Sequence, residues 1–279
     1  MTKSFVFTQV DVFTDTPLRG NPLAVVHGAD GLDDAQMQAV ARWTNLSETT
    51  FLLAPTAPEA DYRVRIFTPG GELPFAGHPT LGTCHAWRER GGVGKTPGRI
   101  VQQCGIGLVP IRVEAERSAF AAPPVRMGPV DDTTLAPVLE ALGLERDRVR
   151  ATRWLDNGPN WLGVLVDTAA TVLALEPDHA ALKALAKVGV IGPHPAGGEC
   201  AFEVRGFAAP ISVPEDPVTG SLNAGLAQWL IGEGLAPARY VAAQGTRLER
   251  AGRVHVERDG DTVWVGGRSI TCIRGELLL

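Results

Sequence analysis

The chain has 279 residues, 44% of them hydrophobic and 20% charged, which is enough apolar material for a sizeable core and too little charge for a disordered chain. A net charge of −5 excludes a broad basic footprint, so no nucleic-acid partner is expected. No apolar run approaches the roughly 20 residues of a membrane span, and no membrane association is expected either.

Gly (32) and Pro (21) exceed average usage with no low-complexity tract to hold them, which favours a β-rich fold with many short connections. Ser4–Phe13 is the first predicted strand, with Val6, Thr8, Val10 and Val12 on one face and Phe5, Phe7 and Phe13 on the other. Polar residues interrupt it, so it offers no signal-peptide core. The four cysteines, Cys84, Cys104, Cys200 and Cys272, lie far apart without CxxC spacing. They read as the reduced thiols of a cytoplasmic protein. Turn residues from Thr16 to Pro22 lead to a strand at Leu23–His27. Asp33 and Gln36 have the spacing of a capping box, with Met37, Val40 and Ala41 as an apolar stripe behind it. Asn45 and Glu48 repeat that spacing, and taken alone a capping box is the favoured reading of Glu48. Tyr62, Val64 and Ile66 alternate with Arg63, Arg65 and Phe67 as in a half-buried strand, and Val109, Ile111 and Val113 follow the same rule. Two further helices are predicted, one through Leu135, Val138, Leu139 and Leu142 before Gly143, the other through Leu182, Leu185 and Ala186 before Gly189. Arg19, Arg63, Arg65 and Arg205 read as solvated strand faces or surface ion pairs.

An internal echo joins the two halves. Val64-Arg65-Ile66-Phe67-Thr68-Pro69 is matched by Val204-Arg205-Gly206-Phe207-Ala208-Ala209-Pro210, 140 positions later. Each is followed by an irregular stretch and then a glycine turn, at Gly77-His78-Pro79-Thr80-Leu81-Gly82 and at Gly220-Ser221-Leu222-Asn223-Ala224-Gly225, 143 positions apart. Each continues as an apolar helix, which makes a duplicated domain the economical explanation. Gly82 and Gly225 cost helix stability unless something packs close to the backbone. Both helices have an almost uncharged first half, as a helix enclosed by sheet needs. Their starts present unpaired N–H groups and the positive end of the macrodipole, where a carboxylate binds. If the halves are related by an approximate two-fold, both starts face one cleft suited to a small anionic substrate.

Several stretches resemble the phenazine-biosynthesis PhzF family of isomerases: Asp11-Val12-Phe13-Thr14 with Gly20-Asn21-Pro22, Asn45 to Phe51, Phe67-Thr68-Pro69 with Glu72-Leu73-Pro74-Phe75-Ala76-Gly77-His78-Pro79-Thr80, Asn157-Gly158-Pro159 with Trp161, Glu215 to Ser221, and Gln244-Gly245. The resemblance implies an α+β fold like diaminopimelate epimerase. Two similar domains would each wrap a curved, mostly antiparallel sheet around a central helix, with the active site in the cleft between them, and two chains would form a homodimer. It implies isomerisation of trans-2,3-dihydro-3-hydroxyanthranilate or a related small cyclic amino acid or carboxylate, by proton transfer without cofactor or metal. By motif match Glu48 would transfer the proton, His78 and Asp216 would flank the substrate, Gly77, Gly220 and Ser221 would hold it through the helix starts, and Gln244 would line the pocket.

Read singly, these residues keep plainer alternatives. His78 beside Pro79 suits an ordinary turn histidine, Asp216-Pro217 a turn initiator, Ser221 a helix cap, and Gln244 carries no signal of its own. Moving a proton between two carbons needs one group in reach of both, a role a positioned carboxylate fills. Two rival functions remain: a two-base epimerase or racemase using opposed thiols, and a non-catalytic ligand-binding or scaffold protein. Against the first, Ala76 precedes Gly77 and Asp216–Ser221 contains no cysteine. The six histidines show no metal-ligand spacing, so no metal is expected. Gly91-Gly92-Val93-Gly94-Lys95-Thr96 lacks phosphate-loop spacing and reads as a turn. Pro214, Val218 and Leu222 depart from the family's usual residues, and Leu222 either narrows the site or packs behind it. The first domain is expected at residues 1–116 with 267–279 returning to its sheet, the second at 117–266. Ser118–Ala122 is expected to be a short exposed edge that a second subunit covers.

Overall fold

Strands and turns dominate, as the glycine and proline content requires. The computed structural model describes residues 3–279, and the chain divides into two units, Met1–Ala121 with Gly266–Leu279, and Ala122–Val265. The first unit contains β1 (Ser4–Val12), β2 (Asn21–Val26), α1 (Asp34–Thr44), β3 (Glu48–Leu53), β4 (Tyr62–Thr68), β5 (Gly71–Leu73), α2 (Gly77–Glu89), β6 (Arg99–Cys104), β7 (Gly107–Val113) and β8 (Ser118–Ala121), and is completed by the chain's closing strand, Ser269–Leu278. The second contains β9 (Arg126–Gly128), α3 (Asp132–Leu142), β10 (Val149–Asp156), β11 (Asn160–Val166), α4 (Ala169–Ala174), α5 (His179–Lys183), β12 (Lys187–Pro193), β13 (Phe202–Ala208), β14 (Val213–Asp216), α6 (Gly220–Gly232), β15 (Arg239–Gln244) and β16 (Gly252–Asp259).

One pairing scheme serves both units. In the first, β1–β2 is antiparallel, β2–β3 parallel, β3–β4 antiparallel, β4–β6 parallel and β6–β7 antiparallel. In the second, β10–β11, β11–β12, β12–β13, β13–β15 and β15–β16 repeat that series of orientations. The outer edge of β1 carries the closing strand, and that of β10 carries β9, both antiparallel. The hairpins β4–β5 and β13–β14 each deliver the chain to a central helix. The echo in the sequence is therefore a repeated topology, and the fold is α+β with mixed, mostly antiparallel sheet.

The central helices α2 and α6 are each 13 residues long. Helix α2 packs against β1, β2, β3, β6, β8 and the closing strand, and α6 against β10, β11 and β16. The two helical glycines permit this approach. A Cβ on Gly82 would lie 2.6 Å from Leu23 Cδ2 and 2.8 Å from Val12 Cγ2, and one on Gly225 would lie 3.2 Å from Leu155 Cβ. On the opposite sheet face α1 buries Met37 and Val40 against Phe5, Val26, Phe51 and Phe67. In the second unit Leu135 and Val138 of α3, Val172 of α4 and Leu182 of α5 pack with Leu162, Val188 and Phe207. The Asp33–Gln36 capping box is present in full.

Three expectations are corrected. The helix placed before Gly189 ends at Lys183, and Gly189 lies inside β12, where a Cβ would meet Leu222 Cδ1 at 2.1 Å. Asn45 does not open a capping box; it closes α1 in the left-handed conformation (φ 53°), so Glu48 begins a strand. Strand Ser118–Ala121 is not exposed, since Ser118 and Phe120 are buried. Among the described residues no helix is long and apolar enough to cross a membrane, and the four cysteines are free thiols.

Candidate active site

Each unit has a group of candidate site residues at the start of its central helix. In the first, α2 is preceded by Ala76, whose methyl cannot cap, and its first turn contains no acidic residue. Thr80 is the first residue whose N–H returns to the helix, at 3.1 Å from the Ala76 carbonyl. Pro79 has no N–H, which leaves those of Gly77 and His78 outside the helical ladder. Glu48 enters beside this turn because β3 starts at residue 48, directly after the Asn45 reversal, in parallel register with Leu23 of β2. Thr83 Oγ1 donates to Thr50 Oγ1 at 2.9 Å, fastening α2 to the same strand.

The Glu48 carboxylate is mostly enclosed, with 15% of its side chain exposed, and its Oε2 lies 3.3 Å from Nε2 of the buried His78. On the other side of the ring, Asn21 Nδ2 lies 3.4 Å from His78 Nδ1. With Asn21 donating to Nδ1, the neutral imidazole carries its hydrogen on Nε2, the ring nitrogen nearer Glu48. Burial pulls the His78 pKa down to about 3, so the ring is a neutral donor at neutral pH. Asn21 is placed by the tight turn before it. The Gly20 N–H donates to Asp11 Oδ2 at 2.9 Å, and a Cβ on Gly20 would lie 2.2 Å from the Val12 carbonyl oxygen.

In the second unit, Thr219 precedes α6 without capping it, and the first turn again lacks an acidic residue. The Thr219 hydroxyl donates instead to Asp216 Oδ2 at 2.6 Å. Gln244, fully buried, ties the turn together. Its Oε1 accepts from Thr219 N at 3.0 Å and Asn223 Nδ2 at 2.8 Å, while Nε2 donates to the Asp216 carbonyl at 3.1 Å and to Thr219 Oγ1 at 2.9 Å. Its amide is thus committed within the protein. Ser221 is gripped from the β10–β11 hairpin: Trp161 Nε1 donates to its Oγ at 3.2 Å and Asn157 Nδ2 to its carbonyl at 2.8 Å. Since Oγ accepts from the indole, its own proton remains to be given elsewhere. His78 and Ser221 both occupy the second position of their helices, and each is held by the strand that corresponds to β2.

Glu48 and His78 are in contact in the first unit; in the second, Asp216, Gly220 and Ser221 lie on one turn, and Gln244 holds it from the end of β15. Leu222 packs behind that turn, fully buried against Gly189 and Gly206. Asn21, Asn157 and Trp161 lie in the quoted motifs, but local sequence marks no role for them, because each acts on a central helix 57 to 64 residues away. Arg205, expected on a solvated face, is instead buried and paired with Glu215. Neither helix start carries a thiol. Cys84 is buried within α2 and its pKa is pushed up to about 12 by that burial, which disfavours thiolate chemistry. Among the described residues no group of three His, Cys, Asp or Glu side chains forms a metal-holding cluster.

Known proteins agree with this architecture. The phenazine biosynthesis-like protein family, PhzC-PhzF, matches residues 10–275. The chain is 38% identical to antisense-enhancing sequence 1 of Schizosaccharomyces pombe, over 97% of each chain. It is 34% identical to the trans-2,3-dihydro-3-hydroxyanthranilate isomerase of Pseudomonas aeruginosa, over 91% of this chain and 90% of that one. A crystal structure of a Bacillus anthracis phenazine biosynthesis protein of the PhzF family superposes with a TM-score of 0.86 at 24% identity, covering 99% of this chain and 100% of that one.

Proposed function

The chain belongs to the PhzC-PhzF family of phenazine biosynthesis-like proteins, and from that premise we propose that it is an isomerase moving a proton between carbons of a small cyclic amino acid or carboxylate, with Glu48 as the acid and base. The observation that carries this reading is the enclosed Glu48 carboxylate 3.3 Å from a neutral His78 at an uncapped helix start.

The proposed chemistry needs one proton carrier and a place for the substrate's negative charge. Glu48 takes a proton from one carbon, leaving the bond's electron pair in the conjugated system of the substrate. It then returns the proton at the far end of that system. His78 Nε2, 3.3 Å from Glu48 Oε2, stands against one carboxylate oxygen and leaves the other to face the substrate. The N–H group at Gly77 in the first unit, and that at Gly220 with the Ser221 hydroxyl in the second, are each suited to receive a carboxylate. Asp216, oriented by Thr219, receives an amino or hydroxyl group. Gln244 acts at one remove, by holding the Asp216–Thr219 turn. This account takes the active species as a cytoplasmic homodimer.

Trans-2,3-dihydro-3-hydroxyanthranilate in deuterated water is the first test. The wild-type protein is expected to build solvent deuterium into the product, and Glu48→Gln to slow this by about 10²–10⁴-fold with substrate binding retained. A folded Glu48→Gln protein that keeps most of its turnover would remove Glu48 from the mechanism. Light scattering tests the dimer, since a mass of one 29.6 kDa chain contradicts it.

A further inference from the structure

The two arginines of the sequence echo form the same construction twice. In the first unit Arg65 Nε donates to Glu72 Oε1 at 2.7 Å and Nη2 to Oε2 at 2.6 Å, with the guanidinium carbon 5.0 Å from the Phe67 ring centroid. In the second, Arg205 Nε donates to Glu215 Oε1 at 3.0 Å and Nη2 to Oε2 at 2.8 Å, with the guanidinium carbon 4.9 Å from the Phe207 centroid. Each is a planar fork closing on a carboxylate over an aromatic face, the arrangement that fixes a carboxylate in both position and plane. Each ties the strand before the crossing loop (β4 or β13) to the strand that returns from it (β5 or β14). The remaining nitrogen anchors the fork to an outer helix. Arg65 Nη1 donates to Asp34 Oδ1 at 2.6 Å at the start of α1, and Arg205 Nη1 to the Val172 and Leu175 carbonyls at 3.3 and 2.7 Å at the end of α4.

The copies differ in two respects that matter together. The first pair is open to water, with 23% of the Arg65 and 42% of the Glu72 side chain exposed, whereas Arg205 and Glu215 are 5% and 7% exposed. A buried pair loses hydration that an exposed one keeps, and well-packed apolar residues serve stability at least as well. The neighbours differ too. Glu72 is followed by Leu73, Glu215 by Asp216, and Leu73 and Asp216 hold the same place, opposite Ile66 and Gly206 in their hairpins. The enclosed copy is the one whose next residue carries a site carboxylate.

We propose that the buried Arg205–Glu215 pair is a positioning device for Asp216, setting its backbone from one side while the Thr219–Gln244 hydrogen bonds set its side chain from the other; the exposed Arg65–Glu72 pair does only the structural half of this duty. The inference rests on Asp216 being a substrate-facing group, as in the function proposed above.

The decisive variant is Arg205→Met with Glu215→Leu, which removes both charges and leaves neither one orphaned, with Arg65→Met as the comparator. Thermal midpoint, amide hydrogen exchange across residues 213–223, and kcat and KM on trans-2,3-dihydro-3-hydroxyanthranilate are the readouts. The double variant is expected to melt no lower than wild type, to exchange the 213–223 amides about tenfold faster, and to lose roughly 10- to 100-fold in kcat with KM little changed. Arg65→Met is expected to leave exchange at 213–223 as in wild type. Wild-type exchange across that segment in the double variant, or faster exchange with undiminished kcat, overturns the proposal. If the double variant does not fold, Glu215→Gln is expected to melt lower, since it orphans the Arg205 charge, and carries the same expectations for exchange and kcat. If the wild-type protein does not turn over this compound, the functional reading fails on its own, and the exchange pattern still decides whether the pair orders the Asp216 turn.

Discussion

A buried imidazole at a helix start is governed by what surrounds it, and around His78 burial prevails. Its pKa lies near 3 in the folded protein against about 6.5 in an unfolded chain. The unfolded state therefore binds more protons throughout that interval, and stability falls as pH drops from about 6.5 toward 3, while above it the residue contributes no pH dependence. The slope reaches at most about 1.4 kcal/mol per pH unit. Urea denaturation of wild type and His78→Asn across this window measures it: the variant should lose less stability on acidification, and parallel losses would place the acid sensitivity elsewhere. Glu48 and His78 were visible in the sequence because their motif is contiguous or nearly so. The burial of Arg205 was not. An arginine alternating with Val204 and Gly206 has the pattern of a wet strand face, and what covers it is α4 together with a glutamate ten residues on, across a bulged hairpin. Gln244 was matched to a pocket-lining role, and its local sequence could not reveal that four hydrogen bonds within the turn already occupy its amide.

The helices divide by how they begin. Asp33, Asp131, Thr168 and Asp178 cap α1, α3, α4 and α5 with their side chains, whereas α2 and α6 start at Ala76 and Thr219 with no such bond. A capping carboxylate at position 76 is thus a direct competitor of the proposed substrate. Ala76→Asp should raise stability by about 1 kcal/mol and weaken carboxylate binding about tenfold, read as a higher melting temperature with a higher KM; unchanged KM would take the α2 start out of the binding site. The helical glycines behave differently from their propensity. Gly82→Ala should destabilise by roughly 1–3 kcal/mol through overpacking on Leu23 and Val12, more than the roughly 1 kcal/mol that alanine gains in helix propensity. Gly225→Ala, with its nearest neighbour at 3.2 Å, should cost less; denaturant midpoints of the two variants give the comparison. These central helices were legible from their repeated, uncharged starts. The misplaced end of α5 was not, because Gly189 has the look of a helix stop and is needed instead for the close approach of Leu222 to β12.

At the scale of the whole chain, duplication was the most legible property, since strand, crossing loop, glycine turn and helix recur in one order and the pairing scheme recurs with them. Local pattern did not show which strand completes the first sheet. The closing strand runs antiparallel along β1 from Ser4↔Leu278 to Val12↔Ser269, and such long-range partnering leaves no periodic trace of its own. Deleting Ser269–Leu279 should therefore expose the β1 edge and abolish amide protection in β1, β2 and β3; protection that survives the deletion would show the strand to be dispensable. The same closure separates the two units by topology. The second unit is drawn from one continuous run, Ala122–Val265, whereas the first joins Ser4–Val12 to Ser269–Leu278 across all of it. Its outermost pairing therefore has the larger loop-closure entropy against it, and it is the pairing expected to form late in refolding.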